Sequence, residues 1–163
     1  MISDHSPNEA LVYNTMKNVF NNIVFLKTSK NVGPGMARQL GIDNSYSPFF
    51  TFLDVDDLYQ YPNALYDLYK AIIDQEYDYA FGYVNECENG EMFLRAKLWN
   101  PTNIVTFHSV IYRRTFIEKN QIKFHPELRI YEDLYYRLQV TAVSNNYGCT
   151  NTFTYRYNKN SYD

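Results

Sequence analysis

The fold of this chain turns on Phe49-Phe50-Thr51-Phe52-Leu53-Asp54-Val55-Asp56-Asp57. Aromatic and β-branched residues favour a pleated, half-buried surface, so residues 49–53 predict a buried strand. That strand runs straight into three carboxylates within four residues, Asp54, Asp56 and Asp57. Carboxylates so close repel one another, and a strand end that carries them loses stability unless a cation or bound donors compensate. The plainer alternative is a solvated acidic turn in which Asp57 caps the next helix.

Working outward from this strand, the flanking sequence alternates strand and helix. Upstream, Met1-Ile2-Ser3-Asp4 reads as the end of a strand, because a helix start follows it directly. Ser6 suits the N-cap, Pro7 the first helical position and Glu9 the third, which closes a capping box. Val12, Met16, Val19 and Phe20 recur at helical spacing and predict one buried stripe. A strand at Ile23-Val24-Phe25-Leu26 comes next, then a loop with Gly33, Pro34 and Gly35 and a short helix over 36–40. Downstream of Pro62, Leu65, Leu68, Tyr69, Ile72 and Ile73 keep helical spacing on one face, and Tyr79-Ala80-Phe81-Gly82-Tyr83-Val84 predicts another strand. This alternation is the signature of a parallel sheet covered on both faces. Beyond residue 85 the order changes to strands at 92–98 and 109–112, a short helix at 115–120, a longer one at 132–143 and a terminal strand or half of a hairpin at 147–157. The expected class is α/β with a mixed sheet.

A length of 163 residues fits one domain with a real core. Apolar residues make up 45% and charged residues 20%, so the chain is globular, and its apolar runs fall far short of a bilayer span. A net charge of -3 gives no positive field to hold a nucleic-acid backbone. Cys87 and Cys149 have no metal-ligand spacing, and the N-terminus shows no signal-peptide pattern, so a reduced, cytoplasmic protein is expected. Tyrosine is the unusual component at 17 residues; rings of this density line sugar sites, but they also fill cores, and here they occur in every segment.

In open α/β sheets, ligands bind outside the carboxyl ends of the strands. Asp4 and the 54–57 turn occupy such ends. Mg²⁺ or Mn²⁺ prefers oxygen ligands and is often shared between one or two carboxylates and a substrate diphosphate. Glu132-Asp133 opens the later helix, where carboxylates also serve a purely structural purpose through the helix dipole. The loop 30–38 brings cations and free amides that suit a phosphate. His108 precedes a strand at a place from which it can approach a diphosphate, whereas His125 reads as a surface loop residue. Trp99 suits either stacking on a sugar or core packing.

Four segments in order carry a resemblance: Ser3-Asp4-His5-Ser6-Pro7-Asn8; Asn31-Val32-Gly33 through Ala37-Arg38-Gln39-Leu40-Gly41-Ile42; Phe52 to Asp57; and Phe124 to Asp133. Together they resemble the ordered motifs of family 2 glycosyltransferases with the GT-A fold, a Rossmann-like, mostly parallel central sheet flanked by helices. Ser3, His5 and Gln39 depart from the usual residues. The family begins with a strand and helix before the Asp4 turn, so the chain is expected to be N-terminally incomplete, with an exposed sheet edge that a homo-oligomer or another segment would cover. Residues 1–84 would form the nucleotide-sugar-binding half of one domain and 85–163 the acceptor half.

The resemblance implies inverting transfer of a sugar from a nucleotide-diphosphate donor, a UDP-sugar foremost, to a hydroxyl on a glycan or other acceptor. It implies Mn²⁺ or Mg²⁺ held by Asp56 with Asp54, and Asp54 or Asp57 on ribose or metal-bound water. Asp133 would take the acceptor proton, and Glu132 would orient the helix start or an acceptor hydroxyl. Asp4 would meet the nucleobase, with Arg38 facing base or phosphate and His108 near the diphosphate. Two alternatives stay open from the sequence: a degenerate domain that binds a sugar nucleotide without turnover, and a nucleotidyltransferase that forms sugar nucleotides.

Overall fold

A computed structural model describes residues 2–3, 9–88, 91–93 and 107–159. Asp4, the helix start at 6–8, Trp99 and residues 94–98 of the expected strand lie outside them. The chain divides into two compact units, Met1–Tyr46 with Lys123–Tyr136 and Ser47–Ile122 with Arg137–Asp163.

In the first unit, β1 (Ile2–Ser3) pairs in parallel with β2 (Leu26–Lys27). Helix α1 (Glu9–Val19) forms where its periodicity predicts, but its apolar stripe is only half covered. Val12 and Met16 are partly buried, whereas Val19 and Phe20 are 66% and 48% exposed. The helix packs through the neighbouring Tyr13 instead, whose ring lies 4.6 Å from Phe25. Helix α2 (Pro34–Asp43) is longer at both ends than expected. Gly33 precedes it at φ 84, a left-handed conformation open to glycine, and Pro34 supplies a fixed φ where no amide hydrogen is needed. Within α2 the buried Gln39 donates to Asp43 and accepts from the Phe124 amide at 3.1 Å, which ties the 123–136 segment to this helix.

The second unit is built on a six-stranded mixed sheet. Strands β3 (Phe49–Thr51), β7 (Val110–Arg113), β5 (Tyr79–Glu88), β8 (Tyr147–Lys159) and β4 (Leu58–Tyr59) lie side by side, and β6 (Glu91–Phe93) pairs with β5. The β5–β8 ladder is parallel and the other ladders of this sheet are antiparallel, so the parallel share is smaller than the sequence alternation implies. β7 lies between β3 and β5 and runs opposite to both, while β8 lies on the other side of β5.

Central β5 is buried on both faces through most of its length, as its continuous apolar run requires. Helix α3 (Ala64–Ile73) packs on this sheet through Ala64, Leu68 and Ile72, each 0% exposed. Leu65, Tyr69 and Ile73, expected on the buried face, are instead about two-fifths exposed, because the covered stripe follows strict i, i+4, i+8 spacing. Leu68, Ile72, Ala80 and Ile111 form the core between helix and sheet. Full burial of each large aliphatic side chain there contributes about 1.5–3 kcal/mol. Helix α4 (Arg114–Lys119) follows β7, and α5 (Glu132–Val143) begins at the predicted Glu132-Asp133. No helix among the described residues is long and apolar enough to cross a membrane.

Candidate active site

Strand β3 ends at Thr51, whose hydroxyl bonds the Val110 carbonyl, and the chain leaves the sheet at Phe52. Phe52 stays anchored by stacking on Phe107 at 4.9 Å, so the acidic turn starts from a fixed point. The turn closes with the Asp57 amide on the Asp54 carbonyl at 3.1 Å and leads into β4, a two-residue strand too short to leave a periodic signal in the sequence.

His108, just before β7, points its imidazole at this turn. Its Nε2 lies 3.5 Å from Asp54 Oδ2 and 3.9 Å from Asp57 Oδ2. One ligand atom from each of Asp54, Asp57 and His108 falls within 4.8 Å of the others, a spacing that a single cation can bridge. Asp56, expected beside Asp54 as a ligand, has an exposed side chain, while its carbonyl accepts from the Asn158 amide group. The structure therefore brings Asp54, Asp57 and His108 together, with Asp56 on the outer side of the turn.

Asp57 is the most constrained of the three at 3% exposure. Tyr155 donates its hydroxyl to Asp57 Oδ2 at 2.7 Å, and the Asn158 amide donates to Oδ1 at 2.9 Å. Burial raises the Asp57 carboxyl above its ordinary value, and these two hydrogen bonds offset part of that rise. Burial and the bond to Asp57 likewise push the Tyr155 hydroxyl well up, which keeps it a donor. The His108 ring is flanked by Tyr155 and Tyr157, each at 5.2 Å between centroids. Sequence reading missed Tyr155 and Asn158. The signal was faint: Tyr155 and Tyr157 alternate on one strand, about a hundred residues from Asp54 and Asp57.

The donor set fits a divalent cation. Two carboxylates and an imidazole suit Mn²⁺, whereas Mg²⁺ favours oxygen ligands alone.

In the first unit, Arg38 Nη1 donates to Glu132 Oε1 at 2.9 Å, and both side chains are largely buried. Gly35 allows this approach, since a Cβ there would lie 2.8 Å from Glu132 Cγ. Arg129 reaches back to Asn31 through its side-chain and backbone oxygens. Asp133, partly buried in the first turn of α5, accepts from the Leu134 amide at 2.7 Å. His125 sits in its loop with Nδ1 accepting from the Glu127 amide.

The sequence profile described as Glycosyl transferase family 2 matches residues 3–149. The chain belongs to that family. It is 26% identical over 168 residues to the poly(ribitol-phosphate) β-N-acetylglucosaminyltransferase TarP of Staphylococcus aureus strain N315, an alignment covering 95% of this chain and 51% of TarP. The crystal structure of S. aureus TarS 1-349 in complex with UDP-GlcNAc superposes with a TM-score of 0.82 at 21% identity, over 98% of this chain and 49% of that one. Its complex with UDP gives the same TM-score at 20% identity, covering 97% and 50%. These likenesses show the fold, the GT-A-like α/β arrangement that the motifs imply. The chain spans about half the length of the relatives it matches.

Proposed function

We propose that the protein is an inverting glycosyltransferase that moves a sugar from a nucleotide-diphosphate donor to an acceptor hydroxyl. The observation that carries this reading is the convergence of Asp54, Asp57 and His108 beyond β3 in a chain of this family. A UDP-sugar is the donor class, and UDP-GlcNAc, the ligand of the TarS complex, is the first to test. The acceptor is a hydroxyl of a glycan or related polymer.

Asp54, Asp57 and His108 would hold Mn²⁺, with Asp56 at the rim of the turn. A divalent cation bound there neutralises charge that develops on the leaving diphosphate. Asp4 hydrogen-bonds the nucleobase. Arg38, with its guanidinium fixed by Glu132, faces the base or phosphate end of the donor. Asp133 takes the acceptor proton, a role worth ~10²- to 10⁴-fold in rate. Glu132 acts through Arg38 and the start of α5 rather than as a second base, since its carboxylate is already engaged.

Calorimetric titration with UDP tests the cation role. UDP is expected to bind in the presence of Mn²⁺, and Asp54→Asn to weaken that binding by at least about 10-fold, since even residues that merely orient ligands cost this much. Equal affinity in wild type and Asp54→Asn would remove Asp54 from the site.

A further inference from the structure

We propose that the last part of β8 is a clasp, in which Tyr155 and Asn158 are positioning residues that hold the 54–57 turn in its ligating shape. The contacts come from one short stretch and reach both ends of the turn. At one end, the Asp54 amide donates to the Tyr155 hydroxyl at 3.4 Å. At the other, that hydroxyl donates to Asp57 Oδ2 and the Asn158 amide donates to Asp57 Oδ1. Between them, the Asn158 side chain donates to the Asp56 carbonyl. The Tyr155 ring also lies against His108 at 5.2 Å, so one side chain touches all three members of the cluster.

The physical case is one of cost and compensation. A turn with three carboxylates is repulsive, and Asp57 is buried besides. Fixed donors from β8 compensate that repulsion and spare the turn from rearranging when an ion arrives. Ligands held by outer hydrogen bonds keep their orientation, and loss of such a partner typically lowers metal affinity by about 10- to 100-fold. The β4–β8 pairing, with Leu58 opposite Arg156 and Tyr59 opposite Tyr155, fixes the register that brings Tyr155 and Asn158 to the turn.

This inference rests on the cation reading for its consequence, but the clasp itself has a readout that needs no ion. Tyr155→Phe keeps the ring against His108 and removes the hydroxyl. Mn²⁺ binding followed by electron paramagnetic resonance and amide exchange in metal-free protein are measured on wild type, Tyr155→Phe and Asn158→Ala. In Tyr155→Phe, Mn²⁺ affinity is expected to fall by at least about 10-fold and the Asp57 amide to exchange at least about 10-fold faster, with protection at Ile111 in the core unchanged. Asn158→Ala, at a partly exposed position, is expected to move both quantities the same way by less. If wild type binds no Mn²⁺ while the Asp57 amide still exchanges faster in Tyr155→Phe, the cation reading fails and the clasp stands. Unchanged exchange at Asp57 in both variants overturns the clasp, whatever happens to Mn²⁺ affinity, because the phenol would then not be acting through the turn.

Discussion

Arg38 Nη1 and Glu132 Oε1 meet at 2.9 Å across 94 residues of sequence, with side chains 14% and 10% exposed. The pair joins α2 to the first turn of α5, the two elements that carry the Arg38 and Glu132-Asp133 motifs. Charge-assisted hydrogen bonds of this kind contribute about 1.5–3 kcal/mol, and a buried partner left alone loses more than the bond itself. Glu132→Ala should therefore lower stability by more than the bond alone, up to about 3–5 kcal/mol, in urea titration. Glu132→Gln, which keeps an acceptor oxygen, should cost less. Equal losses for the two variants would show that packing rather than the ion pair carries the effect.

Gly35 tests the same junction from the other side. A Cβ added there would approach Glu132 Cβ at 3.0 Å and Phe124 Cδ1 at 3.2 Å, besides the closer Glu132 Cγ. These are stem and ring atoms that cannot swing away, so Gly35→Ala should destabilise by about 1–3 kcal/mol. Combined with Glu132→Ala, which removes the nearest atom, the loss should be smaller than the sum of the singles. Additive losses would mean that Gly35 and Glu132 do not press on each other.

Tyr79 gives a pH signature remote from the acidic turn. It is 1% exposed, and burial raises its hydroxyl from 10.0 to about 12. Between those values the unfolded chain has lost the proton and the folded chain keeps it, so stability falls as pH rises through that window. The slope is about 1.4 kcal/mol per pH unit for one group. Tyr79→Phe should flatten part of the fall in urea midpoint between pH 10 and 12. An identical slope in the variant would assign the alkaline loss to other groups.

The imidazole in the cluster predicts ion preference. His108→Ala should weaken Mn²⁺ binding more than Mg²⁺ binding, because nitrogen ligation favours the former. Parallel titrations with both ions check this, and equal losses would argue that His108 is a neighbour of the site rather than a ligand.

The fold was legible where periodicity was long. Helix α5 starts at Glu132 as expected, β5 begins at Tyr79, and α3 falls where its apolar spacing puts it. Two features were not: β4 has two residues and so no repeat, and α1, although it formed where its repeat puts it, turned Tyr13 rather than Val19 and Phe20 into contact. In the candidate site, the place of Asp54, Asp57 and His108 next to strands is readable from sequence, whereas which acids of the turn lie beside His108, Asp54 and Asp57 rather than Asp56, depends on how the turn rotates its side chains. Tyr155 and Asn158 are joined to the turn only by the β8 register, a long-range pairing that composition and spacing do not encode.

Glycosyl transfer itself is tested most directly at Asp133. The measurement is the rate of sugar transfer from UDP-GlcNAc to a hydroxyl acceptor by wild type and Asp133→Asn, with donor affinity determined alongside. Asp133→Asn preserves shape and hydrogen-bonding atoms and removes the base, so transfer should fall by at least ~10²-fold while donor affinity changes little. Equal transfer rates in the two proteins would contradict Asp133 as the base, and absence of both transfer and donor binding in wild type across several UDP-sugars would contradict the glycosyltransferase account.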